Sequence, residues 1–441
     1  RKRSCLNLNL IQRKYTFFFL LYIKYTTDNC CIFYISVIIF KTQRNIMNIE
    51  SISYIIDTLY AIFAMTLIIF MVPGFAMLEA GIVRTKNVTA VLTINTLIYA
   101  VASLSFLLFG YSLAFGDLGS DSMSKYAAFL FQMAFVGKVV NIMSGGVSER
   151  AKIIPLSLFT IIMASILYPL VVNVTWGSNF LEGTIFELSM YDLAGSTVIH
   201  STGGWALLAA ILIIGARKGR YPKEGGIRVI PASNIPLVTL GAFLLWIGWF
   251  GFNGGSVGSI ASKENADLVA LTIMNTNTAG LCGAIMVAII MQIMYKKLDL
   301  TMILNGALGG LVAVTAGPDL YDIYTPILIG SVGGILVVIG VSFFDKLRID
   351  DPVGALSVHL LNGIWGTIAV ALFASNGEDI TLLGQLKGIL IVGIFAFVSS
   401  YIVLSIINKI MPLRAGNDEE MQGLDVEECG IEAYPEFKRA F

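Results

Sequence analysis

The stretch DLAGSTVIHSTGG, residues 192–204, decides the fold, because it places an aspartate before an apolar run and a histidine eight residues further on. The stretch DPVGALSVH, residues 351–359, repeats the same D-x-x-G-x-x-x-x-H spacing. The chain has only two histidines, His200 and His359, and these motifs hold both of them. The repeat indicates two related segments, each with an ionisable group inside an apolar helix.

The composition is that of a membrane protein. Of 441 residues, 56% are hydrophobic and 13% are charged, and the mean hydropathy is +0.80. Soluble domains carry about 25% charged residues. The formal net charge of +0 gives no indication of a nucleic-acid partner. The five cysteines lack metal-ligand spacing, so we expect no metal site, no disulfide framework and no cofactor.

Residues 1–46 differ in composition from the rest of the chain. The first methionine is Met47, and the segment before it is rich in Phe, Tyr, Ile, Lys, Asn and Thr, as a translated AT-rich leader would be. We therefore expect 1–46 to be a gene-model artefact or a disordered leader. A signal peptide or an extra transmembrane helix is the alternative. Against these, no small-residue cleavage site is evident, and charged and polar residues interrupt the apolar run.

From Met47 onward, eleven apolar runs are long enough to cross a bilayer. They lie at 52–82, 89–114, 123–147, 153–173, 194–216, 233–254, 266–294, 302–317, 323–344, 353–375 and 383–411. The sequence therefore predicts an all-α polytopic membrane protein with eleven transmembrane helices. Ten of these would form two inverted five-helix repeats, and one final helix would follow.

The loops between these runs alternate in charge. The odd-numbered loops are basic, with Arg84 and Lys86, Arg150 and Lys152, the segment 217–228, Lys296 and Lys297, and Lys346 and Arg348. The even-numbered loops carry mostly acidic residues. Because basic loops remain in the cytoplasm, we expect the N-terminus outside and the C-terminal tail inside. The expected location is the plasma membrane.

The two histidine motifs open spans five and ten, which cross in opposite directions. Eight helical residues at 1.5 Å each place a histidine about 12 Å from its own face. Half of a bilayer core is about 15 Å. His200 and His359 are therefore expected at similar depth and within contact of each other. Two separately packed histidines are the alternative, but ionisable groups inside a membrane are usually functional.

Longer motifs resemble the ammonium transporter family (Amt/Mep/Rh), in its Amt branch. They are PGFAMLEAGIVRTKN (73–87), FQMAF (131–135), SGGVSERAK (144–152), DLAGSTVIHSTGGWALLAA (192–210), WIGWFGFNGGS (246–256), NTNTAG (275–280) and DDPVGALSVHLLNGIWGTIAVALFA (350–374). The tail GLDVEECGIEAYPEF (423–437) resembles the family's cytoplasmic C-terminal segment. The resemblance covers nearly the whole chain from residue 52.

The resemblance implies a homotrimer with one pore in each subunit. His200 and His359 would line a narrow apolar pore, and two stacked phenylalanines, Phe135 and Phe252, would close it from outside. Asp192 would lie near the outer entrance. We expect its carboxylate also to cap span five.

The resemblance also implies an outer cation site built from Trp176, Phe131 and Ser256. Without the motif matches, the aromatic residues of this site and of the gate would be ordinary core positions.

These residues suit the chemistry of ammonium. Aromatic faces attract a cation, and a serine oxygen accepts one of its hydrogens. An ion crosses an apolar pore at high cost, whereas neutral ammonia does not, so deprotonation is expected at the outer site. Two imidazoles that share a proton can relay it. The resemblance, with which this chemistry agrees, therefore implies ammonium transport and not enzymatic catalysis. It also implies that ammonia is conducted while the proton is relayed by a separate route.

The sequence predicts a membrane domain at 47–414 and a cytoplasmic regulatory tail at 415–441. The tail and the basic loop 217–228 suit docking of a PII-type regulatory protein. The segment NDEEMQGLDVEE (417–428) is equally compatible with a solvated acidic tail.

One residue departs from the family pattern. Lys138 lies in span three, three residues after Phe135, where the family usually has a small or apolar residue. We expect either a buried ion pair between Lys138 and Glu79 or a Lys138 side chain that extends to the interface. A fixed positive charge at this position would oppose a cation. The alternative function is therefore an ammonium sensor with little transport. A gas channel for carbon dioxide is disfavoured by the Amt-like motifs.

Overall fold

The computed structural model describes the backbone of residues 30–375 and 379–437, and the side chains of 49–375 and 379–436. The described residues are helical and form no β-sheet, with one isolated bridge between Ala151 and Arg414. The chain divides into two compact units, residues 1–51 and 52–441. Most of the predicted leader 1–46 lies outside the described residues. From Cys30 onward the backbone of the first unit is helical.

Ten described helices are long and apolar enough to cross a membrane, and an eleventh apolar helix is shorter. In chain order they are α1 (Ile49–Ile82), α2 (Thr85–Phe115), α3 (Lys125–Val147), α4 (Ile153–Thr175), α5 (Ser196–Ile214), α6 (Ile235–Ser256), α7 (Lys263–Tyr295), α8 (Leu300–Val314), α9 (Thr325–Lys346), α10 (Leu356–Phe373) and α11 (Leu382–Ile410). The protein is a multi-pass membrane protein. The ends of these helices differ by at most four residues from the predicted spans.

Helix α8 is the short one. It has 15 residues, which rise about 22 Å and fall short of a bilayer core of about 30 Å. Asp299 fixes its start, because Oδ1 accepts hydrogen bonds from the backbone N–H groups of Thr301 and Met302. Side-chain caps of the same kind open other helices. Asn234 begins α6, Ser262 begins α7 and Thr381 begins α11.

Helices α5 and α10 cross each other antiparallel. Thr197 Oγ1 lies 2.6 Å from Thr367 Oγ1. Further along α5, a Cβ added at Gly204 would lie 2.6 Å from Leu360 Cβ. As residue numbers increase along α5, the numbers of the contacting residues in α10 decrease, so the two helices run in opposite directions. The two histidine motifs enter the bundle from opposite ends, as expected for inverted repeats.

The tail forms two short helices, α12 (Asn417–Gln422) and α13 (Leu424–Cys429). They pack on the loops that follow α1, α3 and α5, which we call the basic end of the bundle. Asp425 Oδ1 accepts a hydrogen bond from the backbone N–H of Ala90 near the start of α2. Glu428 Oε2 accepts one from Ile153 at the start of α4. Tail carboxylates thus stabilise the positive ends of two helices.

Candidate functional site

The two histidines meet inside the bundle. The Nδ1 atoms of His200 and His359 lie 3.1 Å apart, and their ring planes are 17° from parallel. The side chains are nearly inaccessible, at 2% and 5% exposure. A hydrogen bond between two imidazole nitrogens requires one to carry a proton and the other to lack it. The pair therefore shares a single proton at this contact, and this arrangement can relay protons.

Matching aspartates and glycines position the histidines. Asp192 accepts hydrogen bonds from four backbone N–H groups, those of residues 195–198, at 2.8–3.0 Å. Asp351 accepts from residues 353, 354 and 356 in the same way. Gly195 and Gly354 have φ angles of +108° and +78°, which a residue with a Cβ rarely adopts. The spacing D-x-x-G is therefore a helix-start motif that sets the direction of the following helix.

Both helices begin with a π-helical turn rather than an α-helical one. These turns are Ser196–Ser201 and Leu356–Leu361. The backbone N–H of His200 bonds to the carbonyl of Gly195, five residues back. The predicted depth of about 12 Å counted eight α-helical residues. That count was wrong, because four of the eight precede the helix and the rest are π-helical. The histidines still meet, because both helices are altered in the same way.

An aromatic column leads to the histidine pair. The ring of Phe135 contacts Phe131 at 4.9 Å and Phe252 at 4.6 Å between centroids. Phe252 in turn contacts the ring of His200 at 5.5 Å. The two phenylalanines expected to be stacked meet edge to face, with 80° between the planes of Phe135 and Phe252. This is the favoured geometry for two electron-rich rings.

A cavity of about 290 Å³ lies at the far end of this column, and we call it the aromatic cavity. Trp176, Phe131 and Ser256, the three residues of the expected cation site, all line it. Ser256 Oγ donates its hydrogen to the carbonyl of Phe252, so its lone pairs remain free to accept. The indole Nε1 of Trp176 donates to the carbonyl of Asp192. Within the Trp176 side chain, the face of the ring is therefore the part that is available to a cation.

Several residues that line the aromatic cavity were not predicted from the sequence. Tyr60 and Gln132 both line it. Gln132 belongs to the quoted motif FQMAF, and its side-chain amide offers an acceptor that the motif does not identify. Tyr60 lies in α1, outside every quoted motif. Tyr60 reaches the cavity through the packing of α1 against α6. Its hydroxyl lies close to Gly254 of α6, 3.3 Å from where a Cβ on that glycine would be.

The carboxylate of Asp192 does not line the aromatic cavity. The residue is 5% exposed, and both carboxylate oxygens accept from the backbone at the start of α5. The expected cap is therefore present. The expected position near the outer entrance stays a prediction, because the carboxylate faces the start of α5 and not the cavity. Asp192 reaches the cavity only through its carbonyl, which holds Trp176.

The expected ion pair between Glu79 and Lys138 is not formed. Glu79 Oε1 accepts a hydrogen bond from Ser144 Oγ at 2.9 Å, and Oε2 accepts one from Asn95 Nδ2 at 2.9 Å. Among the described side chains, none forms an ion pair with Lys138 within 4.0 Å. Lys138 is 1% exposed, so its ammonium group does not extend to the surface either. Two neutral donors hold the glutamate instead.

A second, smaller cavity adjoins His359, and we call it the histidine chamber. It has a volume of about 20 Å³ and is lined by His359, Glu79, Asn141 and Asn305, together with apolar side chains. A third cavity, the basic cavity, has about 410 Å³ and includes Arg217 and Arg220 in its lining. Asn305 and Val353 line both of these cavities.

Asn305 and Val353 are also bonded to each other. Asn305 Nδ2 donates to the carbonyl of Val353 at 2.9 Å, so this hydrogen bond joins two residues that line both the histidine chamber and the basic cavity. Neither residue was predicted as part of the site. Asn305 belongs to the short helix α8, and Val353 lies within the second histidine motif.

A buried ion network surrounds the basic end of the bundle. Arg217 binds Asp350 through two nitrogens at 2.9 Å, and Glu149 holds Arg84 at 2.7 Å. Burial alone would raise the pKa of Asp350, but hydrogen bonds from Arg217 and the positive charges of Arg150 and Arg217 lower it to about 2. Burial also opposes ionisation of Glu149, yet Arg84 and Arg217 hold its pKa below the usual value. Both carboxylates are therefore ionised.

Together these features define a helical multi-pass membrane protein in which an aromatic column, a shared-proton histidine pair and a chain of cavities follow one another.

The family model described as Ammonium Transporter Family matches residues 59–434. A putative ammonium transporter of Synechocystis sp. is 36% identical over 412 residues, covering 88% of this chain and 92% of the relative. The ammonium transporter Amt2 of Archaeoglobus fulgidus is 33% identical over 419 residues, covering 87% and 89%.

Solved structures agree with this relationship. A protein named Sensor Amt Protein has a TM-score of 0.80 and 31% identity, over 86% of this chain and 100% of that protein. Mep2 of Candida albicans has a TM-score of 0.74 and 26% identity, over 87% and 92%. The chain therefore belongs to the ammonium transporter family.

Proposed function

We propose that the protein transports ammonium by deprotonating it in the aromatic cavity, conducting ammonia past the histidine pair and relaying the proton separately. The observation that carries the proposal is the 3.1 Å contact between His200 Nδ1 and His359 Nδ1. It is supported by family membership and by the relatives named ammonium transporters.

The cation would bind in the aromatic cavity. The rings of Phe131 and Trp176 and the free lone pairs of Ser256 line one space there. Aromatic faces attract a cation by about 0.5–2 kcal/mol each, depending on how far water is excluded. Phe135 and Phe252 separate this cavity from His200, so a hydrated ion does not reach the pair. Phe135 and Phe252 are thus proposed as the gate and Asp192 as the residue that positions His200 and Trp176.

Movement of charge would follow from the shared proton. Each imidazole can accept a proton on one nitrogen while it releases one from the other. His200 Nε2 is buried and has no hydrogen-bond partner among the described residues, so it is free to receive a proton from the aromatic side. The pair titrates as a unit, and net transport is electrogenic.

We also propose the assembly and orientation that the family resemblance implies. The protein has eleven transmembrane helices, with α8 as the eighth, and forms a homotrimer with one pore in each subunit. It lies in the plasma membrane with residue 47 outside and the tail inside. This orientation is supported by the basic loops beside α1, α3 and α5. Residues 47–414 are the membrane domain, and 415–441 are a cytoplasmic regulatory tail.

A PII-type regulatory protein is proposed as a partner at the basic end. The tail is already held there by contacts to loops of the membrane domain. Glu420 Oε1 accepts from the backbone N–H of Lys218, and Arg414 pairs with Glu420 Oε2 at 2.7 Å. The tail and the loop that begins at Arg217 therefore form one surface. A partner bound there would contact both of them.

A second candidate function is ammonium sensing with little transport. Lys138 supports it, since a buried ammonium group without an ion-pair partner among the described side chains repels a cation. The structural neighbour named Sensor Amt Protein supports it as well.

Current measurements on liposomes distinguish the two functions. The purified chain is reconstituted, and the current is recorded after pulses of ammonium over a range of concentrations, with potassium pulses as the control. A current that saturates with ammonium and is absent with potassium supports transport. Ammonium binding to the folded protein without any current identifies a sensor and contradicts the transport proposal.

A further inference from the structure

We propose that Glu79 is a proton carrier on the basic side of the histidine pair, where it accepts the relayed proton and returns it to ammonia. The inference rests on the proposed transport function and adds a residue and a site to it. Three observations carry it: the burial of Glu79, the lining of the histidine chamber, and the charges on the helices around α1.

Glu79 is a buried carboxylate with spare acceptor capacity. It is 1% exposed and accepts one hydrogen bond on each oxygen, from Asn95 and Ser144. An ionised carboxylate offers about four acceptor positions, so about two remain. Two neutral hydrogen bonds do not neutralise a buried charge as a cationic partner would. The group therefore has a strong tendency to take up a proton when one arrives.

The histidine chamber connects Glu79 to His359. Both residues line this cavity, whose volume of about 20 Å³ suffices for one water molecule. Asn141 lines it as well, is 1% exposed, and has an Oδ1 atom with no hydrogen-bond partner among the described residues. The lining of the chamber thus includes a carboxylate residue, an amide with an orphaned oxygen and an imidazole. Such a set accepts hydrogens from water or from ammonium.

The surroundings hold few other charges. Helix α1 packs against α2, α3 and α6, and α6 has no charged residue. On α2 the charged side chain is Lys86, which donates to tail carbonyls. On α3 they are Lys125, at the first residue, and Lys138. Lys138 precedes Asn141 by three residues and shares its helix face. Helices α8 and α10 add only His359. None of these five described helices carries a carboxylate, and the other carboxylates of α1, Glu50 and Asp57, lie many turns before Glu79.

The proton step balances in atoms and charge. The protonated histidine pair releases a proton from His359 to the water of the chamber, and the water passes one of its own protons to the Glu79 carboxylate. Glu79 is then a neutral acid. Ammonia that enters the chamber takes the proton, an N–H bond forms as the O–H bond breaks, and ammonium and the Glu79 carboxylate result. Ammonium then leaves towards the basic cavity, which shares Asn305 and Val353 with the chamber.

The test measures charge and nitrogen separately in liposomes. The wild type, Glu79→Gln and Glu79→Asp are reconstituted, with Glu264→Gln at an exposed carboxylate as the matched control. Current after an ammonium pulse gives the charge moved, and uptake of ¹⁵N-ammonium gives the nitrogen moved. Glutamine keeps the shape and can still bond Asn95 and Ser144. We expect Glu79→Gln to lower the current by about 100-fold, with nitrogen uptake much less affected, and Glu79→Asp to restore part of it.

Other outcomes separate the two proposals. An unchanged ratio of charge to nitrogen in Glu79→Gln overturns the role of Glu79, whereas a wild type with neither current nor uptake overturns the transport function itself. If Glu79→Gln does not fold, Ser144→Ala decides. That variant removes one hydrogen bond to the charged carboxylate, so it shifts the pH dependence of the current. A pH dependence identical to that of the wild type contradicts the proton-carrier role.

Discussion

The carboxylates of Asp192 and Asp351 occupy equivalent positions in two helices that run in opposite directions. Each accepts backbone hydrogen bonds at the start of its helix, each is followed three residues later by a glycine with positive φ, and each precedes a histidine by eight residues. The histidines that they position lie 3.1 Å apart. The contact between the histidines therefore depends on both helix starts.

Replacement of Asp192 by Asn should destabilise the protein and reduce transport together. The amide has one acceptor oxygen in place of two and turns an NH₂ group towards backbone donors. We expect a loss of about 2 kcal/mol and a lower Tm in detergent. Asp117→Asn, at an exposed acidic residue, is the control. If Asp192→Asn keeps the wild-type Tm but loses ammonium affinity, Asp192 is a cation ligand and not a positioning residue.

Lys138→Met should stabilise the protein. Methionine is of similar length and removes a buried amine that has no ion-pair partner among the described side chains, so we expect a gain of about 1 kcal/mol or more. Thermal unfolding in detergent measures the change. The same variant tests the sensor alternative, because a current that appears only in Lys138→Met shows that the lysine blocks the path. A lower Tm would contradict the view that Lys138 is unpaired.

Asp350 should make folding stability depend on pH in the acidic range. Its pKa is about 2 in the folded protein and 3.8 ordinarily. Because the folded value is the lower one, the stabilisation is fully present above about pH 4 and is lost as the pH falls towards 2. It amounts to roughly 2 kcal/mol.

The variant Asp350→Asn isolates this contribution. It should be less stable than the wild type at pH 7, and the difference should shrink between pH 4 and 2. Denaturation followed at several pH values measures it. A difference that is constant over this range would show that Asp350 does not titrate differently in the folded and unfolded states.

Glu420→Ala should release the tail. Glu420 is 1% exposed and joins the tail to Lys218 and Arg414, so its loss leaves both partners unsatisfied. We expect limited proteolysis after residue 414 to accelerate about tenfold, which corresponds to about 1.4 kcal/mol of lost docking. Glu427→Ala, at an exposed tail residue, should be cleaved at the wild-type rate. Equal rates for both variants would mean that other contacts hold the tail.

Much of the fold could be predicted because membrane helices leave long apolar runs in the sequence. The repeated motif also predicted that α5 and α10 are partners. The depth of His200 was predicted less well, since neither the π-helical turn nor the helix start after Gly195 has a periodicity that the sequence displays.

Site residues that lie within a sequence motif could be predicted. Site residues that reach the cavities only through helix packing could not. Phe131 and Ser256 lie in quoted motifs, whereas Trp176 lies in none and was assigned from the family resemblance alone. Tyr60 and Asn305 belong to no motif and enter the site through helix packing. The pairing of Glu79 with Lys138 was inferred from charge alone. Ser144 and Asn95 satisfy the carboxylate instead, and neutral donors of this kind are too common in a sequence to be singled out.

The most direct test of the central claim is the ammonium-evoked current of the His200→Ala, His359→Ala double variant in liposomes, beside the wild type. We expect a saturable current in the wild type and its loss in the double variant, because the shared proton has no carrier without the imidazoles. Size-exclusion chromatography confirms that the variant is folded. A folded double variant that keeps the wild-type current would contradict proton relay through the histidine pair.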